Sequence, residues 1–141
     1  MDRVDFYVLE DSSRDALYRM ACRLTEKAFL LGHRVHIHTD ALETAQEVDR
    51  LLWSFRDRSF VPHEIEPQTP DVWPVTIGYR GEPATQAQVL VNLAAEVPPF
   101  FERFERVVEL TNQDPAVRQH SRSRYRHYRE RGCTLEHHRI R

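Results

Sequence analysis

Residues 114–131, DPAVRQHSRSRYRHYRER, concentrate side chains that bind anions. Arg118, Arg122, Arg126 and Arg129 recur at helical intervals with Tyr125 among them, so a helix there sets four guanidinium groups and a ring on one side. Guanidinium forks hold carboxylates and phosphates bidentately, and a tyrosine offers an apolar plane beside them. The local chemistry predicts that helix. Asp114 is a favoured N-cap, and Pro115 suits the first helical position, where a missing N–H costs nothing. The pattern fits two readings, an arginine face that is simply solvated and a dock for an anion.

The patch stands out against the rest of the chain. The 141 residues carry a formal net charge of −2, so affinity for a polyanion has to come from a local surface. Other chemistry is sparse. The four glycines, Gly32, Gly78, Gly81 and Gly132, cannot make a dinucleotide-binding or Walker loop, which argues against a phosphate cradle and against a bound cofactor. Ser12 and Ser13 follow the first apolar run, yet helix capping accounts for them, and no G-x-S-x-G elbow is present. His36 and His38 share a strand face without a third ligand at suitable spacing; His137 and His138 invite the same caution. Cys22 reads as a small buried hydrophobe, and two cysteines imply no disulfide framework at this size. With no apolar run near membrane length and no leader pattern, the expectation is a soluble cytoplasmic protein.

The elements that must position these residues alternate. Val4 to Leu9 predicts an inner strand, followed by a helix opened by Ser12 and Asp15 as a capping box and closed at Gly32. Residues 34–39 predict a second strand, and Asp40 with Glu43 a second helix with the stripe Leu42, Ala45, Val48, Leu52. This β-α-β-α order favours a parallel α/β core. Residues 53–74 read as loops with one short strand near Phe60 to Pro62. Strands follow over 74–79, 88–93 and 106–110, with a short helix opened by Pro98-Pro99. The expectation is a sheet of about four strands through residue 93, extended by the strand at 106–110 and closed by the arginine helix, in one domain spanning 1–141.

A second cluster, Trp53, Phe55, Phe60, Val61 and Pro62, has large aromatics at a helix end and in an irregular loop. Such residues either seal a core or, exposed, anchor a partner within a polar rim such as Arg56, Asp57 and Arg58.

The opening VDFYVLED, the LLW helix end, the SFVPH segment at Ser59 to His63 and the closing RSRYRHYRERG at Arg122 to Gly132 make the chain resemble the chi-subunit family of bacterial DNA polymerase III holoenzyme nearly end to end. The resemblance implies a single Rossmann-like three-layer α/β domain with a mostly parallel central sheet and no working nucleotide site. It also implies a non-catalytic adaptor in the cytoplasmic replisome. One surface of that family binds the psi subunit of the clamp-loader assembly; another binds the acidic C-terminal tail of single-stranded DNA-binding protein (SSB). A helicase-like repair protein is engaged through the psi surface. Carried across, Arg118, Arg122 and Arg126 become cationic contacts for the tail, with Tyr125 as the adjoining wall. An apolar notch of Thr111, Val117 and Tyr125 is then expected to accept the tail's terminal phenylalanine. Trp53, Phe60, Val61 and Pro62 become psi contacts. Two other classes compete with this reading: a direct binder of single-stranded nucleic acid, stacking bases on Tyr125 and Tyr128 between arginines, and an α/β enzyme using Ser13 or His38.

Overall fold

The computed structural model describes residues 1–58, 60–84 and 86–140. In chain order the elements are β1 (Arg3–Leu9), α1 (Arg14–Leu30), β2 (Val35–His38), α2 (Leu42–Ser54), β3 (His63–Ile65), β4 (Val75–Gly78), β5 (Val89–Asn92), β6 (Arg106–Thr111), α3 (Pro115–Glu130) and β7 (Leu135–Ile140). Two short 3-10 turns, Pro70–Val72 and Phe101–Arg103, complete them. The strands form one seven-stranded sheet, every pair parallel, in the order β3-β4-β2-β5-β6-β1-β7.

Strand alternation splits the core into two layers around the sheet. On one face Leu9, Val35, Ile37, Val75, Ile77, Val108 and Leu110 meet the apolar stripes of α1 and α2. On the other, Val4, Phe6, Leu90 and Val107 pack against Tyr128 of α3 and against Phe100, Phe101 and Phe104. This is a three-layer α/β architecture, and both faces of the inner strands are buried, as parallel sheets require.

Several boundaries differ from the sequence reading. Ser13 rather than Ser12 caps α1, its hydroxyl accepting from Ala16 N at 3.0 Å, while Asp11 holds Ser13 N at 2.7 Å. Asp40 does not cap α2; Ala41 is the N-cap and the Asp40 carboxylate accepts from Ala95 N at 2.8 Å, tying two loops together. The short middle strand lies at His63–Ile65, just beyond Pro62, whose missing N–H cannot join a ladder. Ser59, part of the quoted SFVPH segment, lies outside the described residues. The sheet has seven strands, the seventh of them not anticipated, and the arginine helix does not close the chain, because β7 returns alongside β1. Its LEHHRI sequence carries almost no apolar alternation. As an edge strand it is only partly buried, so the usual strand signal is missing.

Candidate functional site

The capped start of α3 is as expected: the Asp114 carboxylate accepts from Ala116 N and Val117 N, both at 3.1 Å. Asn112 Oδ1 accepts from Asp114 N at 3.0 Å, and Gln113 Nε2 donates to Leu9 O at 3.0 Å, which fixes the helix start over the C-terminal ends of β1 and β6. Arg118, Arg122, Arg126 and Arg129 are all exposed along one side of the helix, with Tyr125 half-buried among them. The inward stripe is Ser121, Arg124 and Tyr128.

An arginine in that stripe is accounted for by β6. Glu109, buried on the same sheet face, accepts from Arg124 Nε at 2.8 Å, from Tyr128 OH at 2.6 Å and from Asn92 Nδ2 at 2.8 Å. Arg124 also donates to Ala95 O at 2.9 Å, so the buried charges are paired and hydrogen-bonded. Burial and the facing Glu109 carboxylate hold the Tyr128 phenol well above the ordinary tyrosine value. This network clamps α3 to the sheet and sets the pitch of its outer arginines.

Between α3 and the edge strand β7 runs a groove of about 540 Å³ lined by Phe6, Val8, Thr111, Ser121, Arg122, Tyr125, Arg126, Arg129 and His137. Its floor is aromatic. Phe6 stacks on His137 at 5.5 Å between centroids, and Tyr125 lies 5.6 Å from Phe6 and 5.2 Å from His137. A second hollow of about 280 Å³ adjoins it through Val8, Thr111, Ser121 and Arg122, and adds Arg118 and Arg139. Among the described residues, Arg118, Arg122, Arg126, Arg129 and Arg139 have no ion-pair partner, whereas Arg124 on the same helix is paired. The combination of unneutralised guanidinium groups and an apolar floor suits a ligand that is anionic and apolar at once.

Of the residues singled out in the sequence, Thr111, Arg122, Tyr125 and Arg126 share the groove, and Arg118 lines the adjoining hollow. Val117 is half-buried in the first turn of α3 and lines neither. The floor residues Phe6 and Val8 and the β7 residues His137 and Arg139 were missed, since only strand pairing brings them beneath the helix.

At the opposite edge, Trp53 from the last turn of α2 and Phe60 are 49% and 69% exposed, with ring centroids 5.9 Å apart. His63 lies under Trp53 at 4.4 Å; its Nδ1 is 2.6 Å from Val61 O and its Nε2 is 3.2 Å from Asp49 Oδ1. Pro62 is half-buried beside them, but Val61 is fully buried in the α1/α2 core and offers no side chain to a partner. Arg56 turns away from this rim to pair with Glu26 at 3.2 Å. The two edges of the sheet are six strand spacings apart, roughly 29 Å.

The residues weighed for catalysis have structural surroundings. Ser13 caps α1, and His36 is buried with Nδ1 2.7 Å from Thr76 Oγ1, its basicity pushed down to about 3 by burial, with His38 and Arg103 adding to the effect. Burial pushes the Cys22 thiol up to about 12. Among the described residues no helix is long and apolar enough to cross a membrane.

The fold and the groove define an all-parallel three-layer α/β domain with an amphiphilic groove at a sheet edge. The chain belongs to the family described as DNA polymerase III chi subunit, HolC, which matches residues 1–136. It is 40% identical over 140 residues to DNA polymerase III subunit chi of Pseudomonas aeruginosa, covering 99% of this chain and 98% of the relative. The Haemophilus influenzae subunit chi is 29% identical over 132 residues, with 92% of each chain covered, and that of Escherichia coli is 26% identical over 141 residues, with 96% of each covered. The protein is therefore an accessory subunit of the replicative polymerase.

Proposed function

We propose that the protein is a non-catalytic adaptor that links the clamp loader to SSB in the cytoplasmic replisome. The groove between α3 and β7 takes the acidic C-terminal tail of SSB. Its several aspartates meet the unpaired arginines, and its terminal phenylalanine enters the Phe6, Tyr125 and His137 floor. Trp53 and Phe60 anchor the psi subunit at the opposite edge, with Pro62 beside them, and the same patch serves a helicase-like repair protein. Nucleic acid is reached mainly through SSB.

The observation that carries the reading is the pairing of unneutralised guanidinium groups with an apolar aromatic floor in one groove. Bases stacking between the arginines would need Tyr128 as well as Tyr125, and Tyr128 is fully buried, whereas an acidic peptide with an aromatic end uses the arginines and the floor together. Titration with a fluorescent tail peptide tests this. Saturable binding that is lost with Arg122→Ala and with a peptide lacking its terminal phenylalanine is expected. Failure of folded wild-type protein to bind at low salt overturns the reading, and tighter binding of a single-stranded oligonucleotide than of the peptide replaces it with direct nucleic-acid binding.

A further inference from the structure

A cavity of about 270 Å³ shares no lining residue with the α3–β7 groove or with the Trp53 and Phe60 patch. His36 has Thr76 and Leu90 as its register partners, so its ring enters the same layer as Leu90, on the α3 side of the sheet. Above β2 and β4 that layer is roofed by the segments 66–70 and 80–84. Its walls are fastened. Glu66, at a positive φ of 39°, accepts from Tyr79 N at 2.7 Å and from Arg80 N at 3.0 Å. Arg103 donates to Glu82 Oε2 and to Pro83 O, both at 2.7 Å, and Arg34 donates to Asp71 O at 2.6 Å and to Trp73 O at 3.1 Å. The cavity is thus preformed.

One buried polar atom is left over inside it. His36 is 3% exposed and its Nδ1 meets Thr76 Oγ1, but its Nε2 has no hydrogen-bond partner among the described residues. A Cβ at position 78 would lie 2.9 Å from Nε2 and Cε1, so Gly78 is what leaves that edge of the ring uncovered. An unpaired buried atom is costly, and a ligand in the cavity removes the cost. The charged side chains in the lining are already paired, Glu66 with Arg80 and Glu82 with Arg103, and burial keeps His36 neutral at pH 7. A charged ligand would find no counter-ion. Half-buried Pro67, Pro70 and Pro83 supply apolar sides.

We propose that this cavity binds a small uncharged nitrogen heterocycle of nucleobase size, packed among the prolines with its polar edge hydrogen-bonded to His36 Nε2. The Thr76 hydroxyl can accept from Nδ1 or donate to it, so Nε2 can present a lone pair or an N–H. A heterocycle carries both kinds of group on one edge and apolar faces on either side. The volume lies just under the range of about 300–1,000 Å³ that holds drug-sized ligands, which suits a single base or nucleoside.

Ligand-observed NMR with adenosine, guanosine, cytidine and uridine at millimolar concentration tests this. At least one nucleoside is expected to bind saturably and to move the His36 Nε2 resonance of isotope-labelled protein. His36→Phe keeps a flat ring without Nε2 and is expected to weaken that nucleoside about tenfold, the scale of one hydrogen bond. Ala84→Trp, at an exposed position on the rim, is expected to abolish binding with the unfolding midpoint unchanged. If His36→Phe does not fold, the Nε2 resonance and Ala84→Trp decide the matter. No nucleoside binding by folded wild-type protein overturns the site, as does binding that leaves Nε2 unmoved or that survives Ala84→Trp. Preference for the matching nucleoside monophosphate by more than about tenfold overturns the uncharged class of ligand.

Discussion

The two edges of the sheet are built from opposite materials. At β7 the exposed feature is charge held above an aromatic floor, and the layer beneath it is a buried ionic network of Glu109, Arg124, Tyr128 and Asn92. At β3 the exposed feature is an apolar aromatic pair, Trp53 and Phe60, with buried His63 under Trp53 and, beyond it, the hydrocarbon core of Val61 and the α2 stripe. A surface that attracts by charge is fast to engage and sensitive to salt, while one that attracts by apolar burial is largely indifferent to it. On the proposed reading, one small domain presents two grips that respond to different conditions, about a sheet's width apart.

Breaking the layer beneath the charged edge should give the largest effect. Arg124→Ala leaves Glu109 buried without its counter-ion, and a loss of about 3–5 kcal/mol in urea unfolding is expected. The conservative substitution of exposed Arg126 by lysine should leave stability unchanged. Arg122→Ala comes next, with about 2–3 kcal/mol lost in tail-peptide binding and none in psi binding. Trp53→Ala should do the reverse, costing about 2 kcal/mol for psi by calorimetry and nothing for the tail peptide. Loss of both activities in either folded variant would contradict the division into two edges. Raising salt from about 0.05 to 0.5 M should weaken the tail complex several-fold and change the psi complex less than about twofold.

Acid separates the halves by a smaller amount. His36 lies in β2, on the β3 side of the sheet, and its folded value near 3 is far below the histidine norm of about 6.5. The unfolded chain therefore binds a proton that the folded chain refuses, and stability should fall as pH drops below about 6.5, by up to about 1.4 kcal/mol per unit. On the β7 side the buried Asp5 behaves oppositely. Burial alone would raise its value, but hydrogen bonds from His138, Arg106 and Arg3 hold it below the usual carboxylate range. Its stabilisation is present above the unfolded value of about 3.9 and is lost only as pH falls through the lower folded one. Unfolding measured at pH 7 and 5.5 should show a decrease of about 1 kcal/mol that His36→Gln flattens and Asp5→Asn leaves in place.

Much of this was legible in advance. The arginine face of α3 follows from spacing along one helix, and its start follows from Asp114 and Pro115. The six strands from β1 to β6 were each indicated by a local apolar run or a turn signal, with errors of a few residues at β3. Arg124 was the least legible residue of α3. It has the same type as its exposed neighbours, and only its place in the stripe with Ser121 and Tyr128, opposite Glu109 on a distant strand, makes it part of the core. Val61 was misplaced for a related reason: an aromatic-rich segment reads as one surface, but alternate residues of an extended chain face opposite ways.

By itself the sequence determined the helix that carries the arginines, the parallel α/β class, and the family to which the chain belongs, because helical period, capping and ordered motifs are properties of neighbouring residues. Only the tertiary structure decided that β7 exists as a strand, that Phe6 and His137 stack to floor a groove, and that Val8 has Thr111 and Arg139 as its register partners on either side. Those contacts join residues more than a hundred positions apart through strand register, which arises from the packing of the whole sheet and leaves no local trace in a polar edge segment such as LEHHRI.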